Sequence, residues 1–261
     1  MKVKPYTSIR IANAEPVVLE LDAGDAVLAT AKVCPMIGTE QTFELTNGGG
    51  TLNGFSFPAI QAPNKATVKW YASGAAEAAY ATYVEVVERN YFPLDALRNY
   101  GNGSDDFASL PDEQLDAARQ AATEVFEAAA RRSFTARIGR TKDYGRGRLL
   151  VLDHNDVREV LTDGYRQVGD SRLARTQCCG PFPTFAEYVY GADEMPAEVS
   201  RAVLDLAAYM LRPSNRPIGA TGESTDAGYI HFTTAGRDGA TAIPEVNAAI
   251  QQFGAGERLV W

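Results

Sequence analysis

The period of the apolar residues changes near residue 92, and that change restricts the chain to a mixed architecture. Up to about residue 92, apolar residues alternate over short runs bounded by turn residues. In the run 17–21, Val17, Leu19 and Leu21 share one face and Val18 and Glu20 the other, the two-residue period of a strand. Strands are expected at Ser8–Ile11, Pro16–Leu21, Thr42–Leu45, Ala66–Tyr71 and Ala81–Val87. Turns are expected at Asp22–Gly24, Asn47–Gly50, Asn53–Gly54 and Ala72–Gly74. Several short strands at this spacing predict a small sandwich or barrel.

Beyond residue 92 the apolar residues recur at three- and four-residue steps. Pro93 opens a short helical stretch that Gly101–Gly103 stops. Ser109 and Asp112 have the spacing of a capping box. After them Leu115, Ala118, Ala122, Val125, Phe126 and Ala129 line one helix face, which ends at Arg131 and Arg132. Residues 148–168 read as strands, with turns at Asp153–Asp156 and Asp163–Gly164. A second helix starts at Pro196 and stops at Pro213, with Val199, Val203, Leu206, Ala207 and Met210 as its buried stripe. A polar, Gly-rich loop spans 214–241, a short helix Pro244–Phe253 follows, and residues 254–261 form an extended tail. The expectation is an α+β chain: a β-sandwich-like accessory domain at 1–92, then a mainly helical domain at 93–261 with a small β element.

The balance of 45% hydrophobic and 22% charged residues allows both domains a packed core. A net charge of -8 argues against gripping nucleic acid through its phosphates, although an acidic wall can surround DNA without holding it. The cysteines are Cys34, Cys178 and Cys179, an odd number with two adjacent, and they read as free thiols. The opening residues lack the apolar core of a signal peptide, and no apolar run is long enough to span a bilayer.

Several residues invite a chemical reading. His154 in Asp153–Asp156 reads as a polar turn, because the other histidine, His231, is not at ligand spacing. Gly48–Gly50 lacks the helix and the Lys-Ser/Thr of a phosphate loop. A hydrolase built on Asp22, Asp25 and His154 has no motif placing nucleophile and base. A carbohydrate-binding module would rest on Trp70, Tyr71, Tyr80 and Tyr83, which read more simply as strand aromatics. Neither catalytic, cofactor-binding nor metal-binding residues are expected. The run 131–148 holds seven cations against Asp143, and Arg137, Arg140, Lys142, Arg146 and Arg148 form a candidate basic interface.

From about residue 109 onward the chain resembles the tailed-bacteriophage head-to-tail connector, or adaptor, family. The resemblance is carried by the long helix 113–134 with the β segment after it, by the helix 195–213, and by the sequence from Gly239 to Trp261, in which Pro244, Val246 and Asn247 take a Pro-hydrophobic-Asn pattern. It implies a structural, non-enzymatic virion protein of the phage neck, made in the host cytoplasm. Twelve copies would form a homo-oligomeric ring between the portal protein and a stopper or tail-completion protein. DNA would cross the lumen without sequence-specific binding, and no membrane or cofactor is involved. The resemblance further implies that the loop, with Tyr229, His231 and Phe232, contacts neighbouring subunits. The tail residues Leu259, Val260 and Trp261 would bind the portal or another partner. A different neck protein, such as a stopper or tail-completion protein, is the nearest alternative.

Overall fold

Alternating burial over the first ninety residues builds two sheets around one apolar layer. The computed structural model describes residues 1–12, 16–22, 27–47, 52–103, 106–144, 148–176, 184–212, 222–225, 228–231 and 240–255. The first strands are β1 (Lys2–Val3), β2 (Ser8–Ala12), β3 (Val18–Asp22), β4 (Leu28–Pro35), β5 (Gln41–Glu44), β6 (Thr46–Asn47), β7 (Leu52–Ser56), β8 (Asn64–Ala72) and β9 (Tyr80–Val87). They form one sheet of order β1-β3-β7-β6 and another of order β2-β9-β8-β4-β5. Leu19, Leu21 and Phe55 from the first sheet meet Ala31, Val33, Val68, Trp70, Val84 and Val86 from the second in a single cluster, so the expected sandwich forms. Trp70 is fully buried, edge-on to Phe55, and its Nε1 donates to Thr82 Oγ1 at 3.1 Å. It therefore belongs to the core and cannot serve a sugar-stacking platform.

Strands β4 and β7 are among those outside the expected runs, and β7 takes in the expected turn at Asn53–Gly54. A bulge between Leu28 and Thr30 shifts the register of β4 against β8, so its buried residues run Leu28, Ala31, Val33 and break strict alternation.

The chain divides into two compact units: Met1–Asn90 with Thr135–Asp193, and Tyr91–Phe134 with Glu194–Trp261. The first junction lies near the expected boundary at 92. Residues 135–193, grouped with the helices in the sequence reading, fall in the first unit with the sandwich. They carry β10 (Arg137–Lys142), β11 (Leu149–Val151), β12 (Val157–Val160), β13 (Tyr165–Gly169), β14 (Arg172–Arg175) and β15 (Phe185–Tyr190). These make two three-stranded sheets, β10-β15-β12 and β11-β14-β13, around Leu152, Val157, Tyr165, Leu173, Ala186, Tyr188 and Tyr190. The β element is thus larger than the sequence suggested.

The second unit holds α1 (Leu94–Arg98), α2 (Asp112–Ala130), α3 (Ala197–Leu211) and α4 (Pro244–Phe253), with α3 packed on α2 and α4. The chain is α+β. Helix α2 starts at a Pro111 N-cap, two residues after Ser109, and Asp112 pairs with Arg98. Its buried face is partly polar: Asp116, Arg119, Thr123 and Glu127 lie inside with Leu115, Ala122 and Phe126. Val125, about 100° round the helix from Phe126, is exposed. Arg131 ends the helix in the left-handed region, at φ 52. In α3 Val199, Val203, Leu206 and Ala207 are buried as expected, whereas Met210 near the C-terminal end is exposed. Arg212 is extended, the conformation that a following proline favours.

Candidate functional site

Two members of the basic run, Arg137 and Arg140, meet carboxylates once the chain is folded. Arg137 and Arg140 stand on β10, and β9 and β15 supply their carboxylates. Arg137 grips Glu85 with two bonds of 2.8 Å, from Nε to Oε1 and from Nη2 to Oε2. The buried Arg10 reaches the same carboxylate at 3.1 Å. Burial alone would raise the Glu85 carboxyl, but Arg137 and then Arg10 outweigh it and hold the group below the usual carboxylate range. Arg140 lies 3.4 Å from Glu187 and stacks over Phe185 at 3.8 Å. Lys142 lies over the Tyr144 ring at 5.2 Å. Arg148 is exposed at the start of β11, and Arg146 lies outside the described residues. Of the five residues of the expected basic interface, Arg137 and Arg140 are paired with carboxylates, Lys142 lies over Tyr144, and Arg148 is exposed. Arg137 is committed inside the first unit, and Arg140 is partly neutralised.

Arg137, Arg140, Glu85 and Glu187 line a groove of about 460 Å³ together with Lys65, Tyr83, Ser8 and Thr67. Burial lowers the pKa of the Lys65 ammonium, and the adjoining Arg137 adds to this. Three cations (Lys65, Arg137, Arg140) against two carboxylates (Glu85, Glu187) leave the groove with a small positive charge of about one.

The turn at Asp153–Asp156 is built into the first unit. His154 Nδ1 is 2.8 Å from Tyr188 Oη, and its ring stacks on Tyr190 at 3.8 Å. Thr141 Oγ1 lies 2.8 Å from Asp153 Oδ2 and 2.9 Å from Tyr188 Oη. Burial raises the pKa of the Tyr188 hydroxyl, which favours the neutral form that this chain of hydrogen bonds uses. Gly139 makes room for it, since a Cβ there would fall 2.5 Å from the Tyr188 ring. A side-chain network that ties a turn to a sheet is the simplest account of His154. No cluster of metal-ligating side chains occurs among the described residues. Asp25, Cys178 and Cys179 lie outside them, and Cys34 donates its thiol to Glu40 at 3.2 Å.

The loop and tail expected to contact partners lie on either side of α4 in the sequence. Asn247 on α4 bonds both backbone groups of Thr241: Thr241 N donates to Oδ1 at 2.8 Å, and Nδ2 donates to Thr241 O at 2.9 Å. At the other end, Ala255 N donates to Ala130 O at 2.8 Å, and Arg132 Nη1 reaches Phe253 O at 3.4 Å. A Cβ on Gly254 would fall 2.4 Å from Ile250 O on α4 and 3.1 Å from Ala130 O on α2, so the glycine lets the chain leave α4 tightly and pass close to α2. The Asn of the Pro-hydrophobic-Asn pattern thus has a physical role as a backbone clamp. The long polar loop contains a hairpin, β16 (Gly222–Thr225) paired with β17 (Gly228–His231). Tyr229 and His231 stand on β17, opposite Ser224 and Gly222, while Phe232, Leu259, Val260 and Trp261 lie outside the described residues.

No family model and no curated protein matches the chain. Among solved structures it is similar to a chain of the virion of a native gene transfer agent particle, at 17% identity and a TM-score of 0.41, over 65% of this chain and 92% of that one. It is also similar to a chain in the neck of an empty particle of the same kind, computed with C6 symmetry. That likeness has 18% identity and a TM-score of 0.36, over 50% of this chain and 83% of that one. At such scores neither likeness bears on the fold or the role of this chain.

Proposed function

We propose that the chain is a structural, non-catalytic protein of a phage neck: an adaptor whose copies form a ring joining the portal vertex to the tail, with DNA crossing the lumen. The observation that carries this reading is the clamping of α4 at both ends. Thr241 is held by Asn247 and Ala255 by Ala130, so the chain is fixed on both sides of α4 within the helical unit. Such anchoring lowers the ordering cost when a hairpin or an apolar tail engages a partner. Tyr229, His231 and Phe232 are assigned to contact with a neighbouring subunit, and Leu259, Val260 and Trp261 to the portal. The sandwich at 1–92 has an accessory, peripheral role, and the net charge of -8 suits a lumen that must not retain DNA. The test is negative-stain imaging and native mass measurement of this protein mixed with the portal protein of the same phage. A ring added to the portal, and lost on deletion of 259–261, is the expected result. Binding to tail proteins alone would move the chain to a stopper or tail-completion role, and binding to neither would refute the neck assignment.

A further inference from the structure

A closed ring of identical subunits needs two different, complementary faces on each copy. One candidate face is the outer side of β11-β14-β13. Leu149 pairs with Ala174, Ala174 with Arg166, and Val151 with Arg172. Paired residues in neighbouring strands point the same way, so these five share a face, while Leu150 and the fully buried Leu173 point inward. Leu149 is 53% exposed, Val151 56%, and Val168 at the β13 bulge 44%. Apolar residues gathered this way, with arginines among them, have the composition of a protein interface. Arg166 and Arg172 form no ion pair or side-chain hydrogen bond among the described residues, in contrast to Arg175 with Asp143 and Arg158 with Asp193.

The second face is on α2. Glu113, Ala117, Ala121, Glu124 and Ala128 follow at four- and three-residue steps on its exposed side, with Val125 beside them. The carboxylates of Glu113 and Glu124 have no partner among the described residues. Three alanines let this helix lie close against a flat surface. The two faces are opposite in charge, on a protein whose net charge otherwise drives copies apart.

We infer that the outer face of β11-β14-β13 takes the exposed 113–128 face of α2 from a second copy, with Arg166 and Arg172 meeting Glu113 and Glu124. This rests on the ring proposed above.

The test places benzoylphenylalanine at position 151 and mixes isotopically heavy and light copies of the full chain. The mixture is irradiated both on the portal and as concentrated protein, and heavy–light adducts are mapped by mass spectrometry. Adducts should fall within 113–128. They should drop about tenfold or more when Arg166→Glu and Arg172→Glu are introduced, and return when Glu113→Arg and Glu124→Arg are added. Portal-bound rings whose adducts map elsewhere, or whose yield ignores the charge reversals, would overturn this pairing and leave the neck role standing. No portal ring, with no heavy–light adduct in concentrated protein, would overturn both this pairing and the portal-ring role.

Discussion

Asn247 acts on Thr241 as a neighbouring strand would, accepting its N–H at 2.8 Å and donating to its carbonyl at 2.9 Å. Both residues are buried, so water cannot replace these bonds easily. Asn247→Leu keeps the volume and leaves both backbone groups unsatisfied, a cost of about 1–3 kcal/mol each. Urea unfolding should show that loss. Hydrogen exchange at the Thr241 amide should quicken more than at amides within α2. Equal quickening everywhere would mean that the clamp is not local.

Gly139→Ala should destabilise the first unit. The added methyl meets the Tyr188 ring at 2.5 Å, and that ring is also held by Thr141 and His154. Overpacking of this kind costs about 1–3 kcal/mol. Tyr188→Phe in the same background removes the hydrogen bonds and the 3.0 Å hydroxyl contact, and leaves the ring carbons at 2.5 and 2.7 Å. A double mutant no less stable than Gly139→Ala alone would show that the network contributes nothing.

Tyr165 is the clearest source of alkaline sensitivity. Its pKa is pushed up to about 12, first by burial and then by its 2.6 Å hydrogen bond to Asp143. A folded value above the ordinary 10.0 means that its stabilisation is complete below pH 10 and is lost as pH rises from there toward 12. Unfolding free energy measured from pH 8 to 12 should fall over that window, and less steeply for Tyr165→Phe. A parallel fall in both proteins would assign the effect to other groups.

The helices were readable because their signals are local. Pro196 and Pro213 bracket α3, Pro244 is the first residue of α4, and the apolar steps between them need only neighbours along the chain. What could not be read depends on distant partners. Arg137 looked like part of a free basic run because Glu85, which neutralises it, lies 52 residues away on a strand of the sandwich. The same separation hid the grouping of 135–193 with the first unit. Arg166 and Arg172 drew no notice, since only the fold reveals which arginines have found a carboxylate. Strand β4 escaped because its bulge spoils the two-residue period on which strand reading depends.

Leu206 is 3% exposed on the face of α3 that lies within the second unit. Leu206→Asp would bury an unpaired charge, which costs several kcal/mol and exceeds the margin of an ordinary domain. Loss of folded protein in expression and circular dichroism is the expected outcome, whereas Leu206→Met should fold. A soluble, folded Leu206→Asp protein would contradict the packing of α3.

Glu85 on β9 binds Arg10 of the neighbouring β2 and Arg137 of β10, and its side chain is 12% exposed. Glu85→Gln would leave two arginines without their carboxylate, and breaking a buried pair in this way costs roughly 3–5 kcal/mol. Because the folded pKa is depressed, the stabilisation is present above the ordinary carboxylate value and fades as pH falls through the lower, folded value. The wild-type and Glu85→Gln stabilities should therefore differ most at neutral pH and converge in acid. Deleting residues 1–90 removes the same carboxylate and should destabilise 135–193 while leaving the helices of the second unit folded. Circular dichroism and limited proteolysis of that truncated protein would show it, with cleavage within 135–193 expected first. An intact 135–193 would mean that this segment stands without the sandwich and that the Glu85 contact is dispensable.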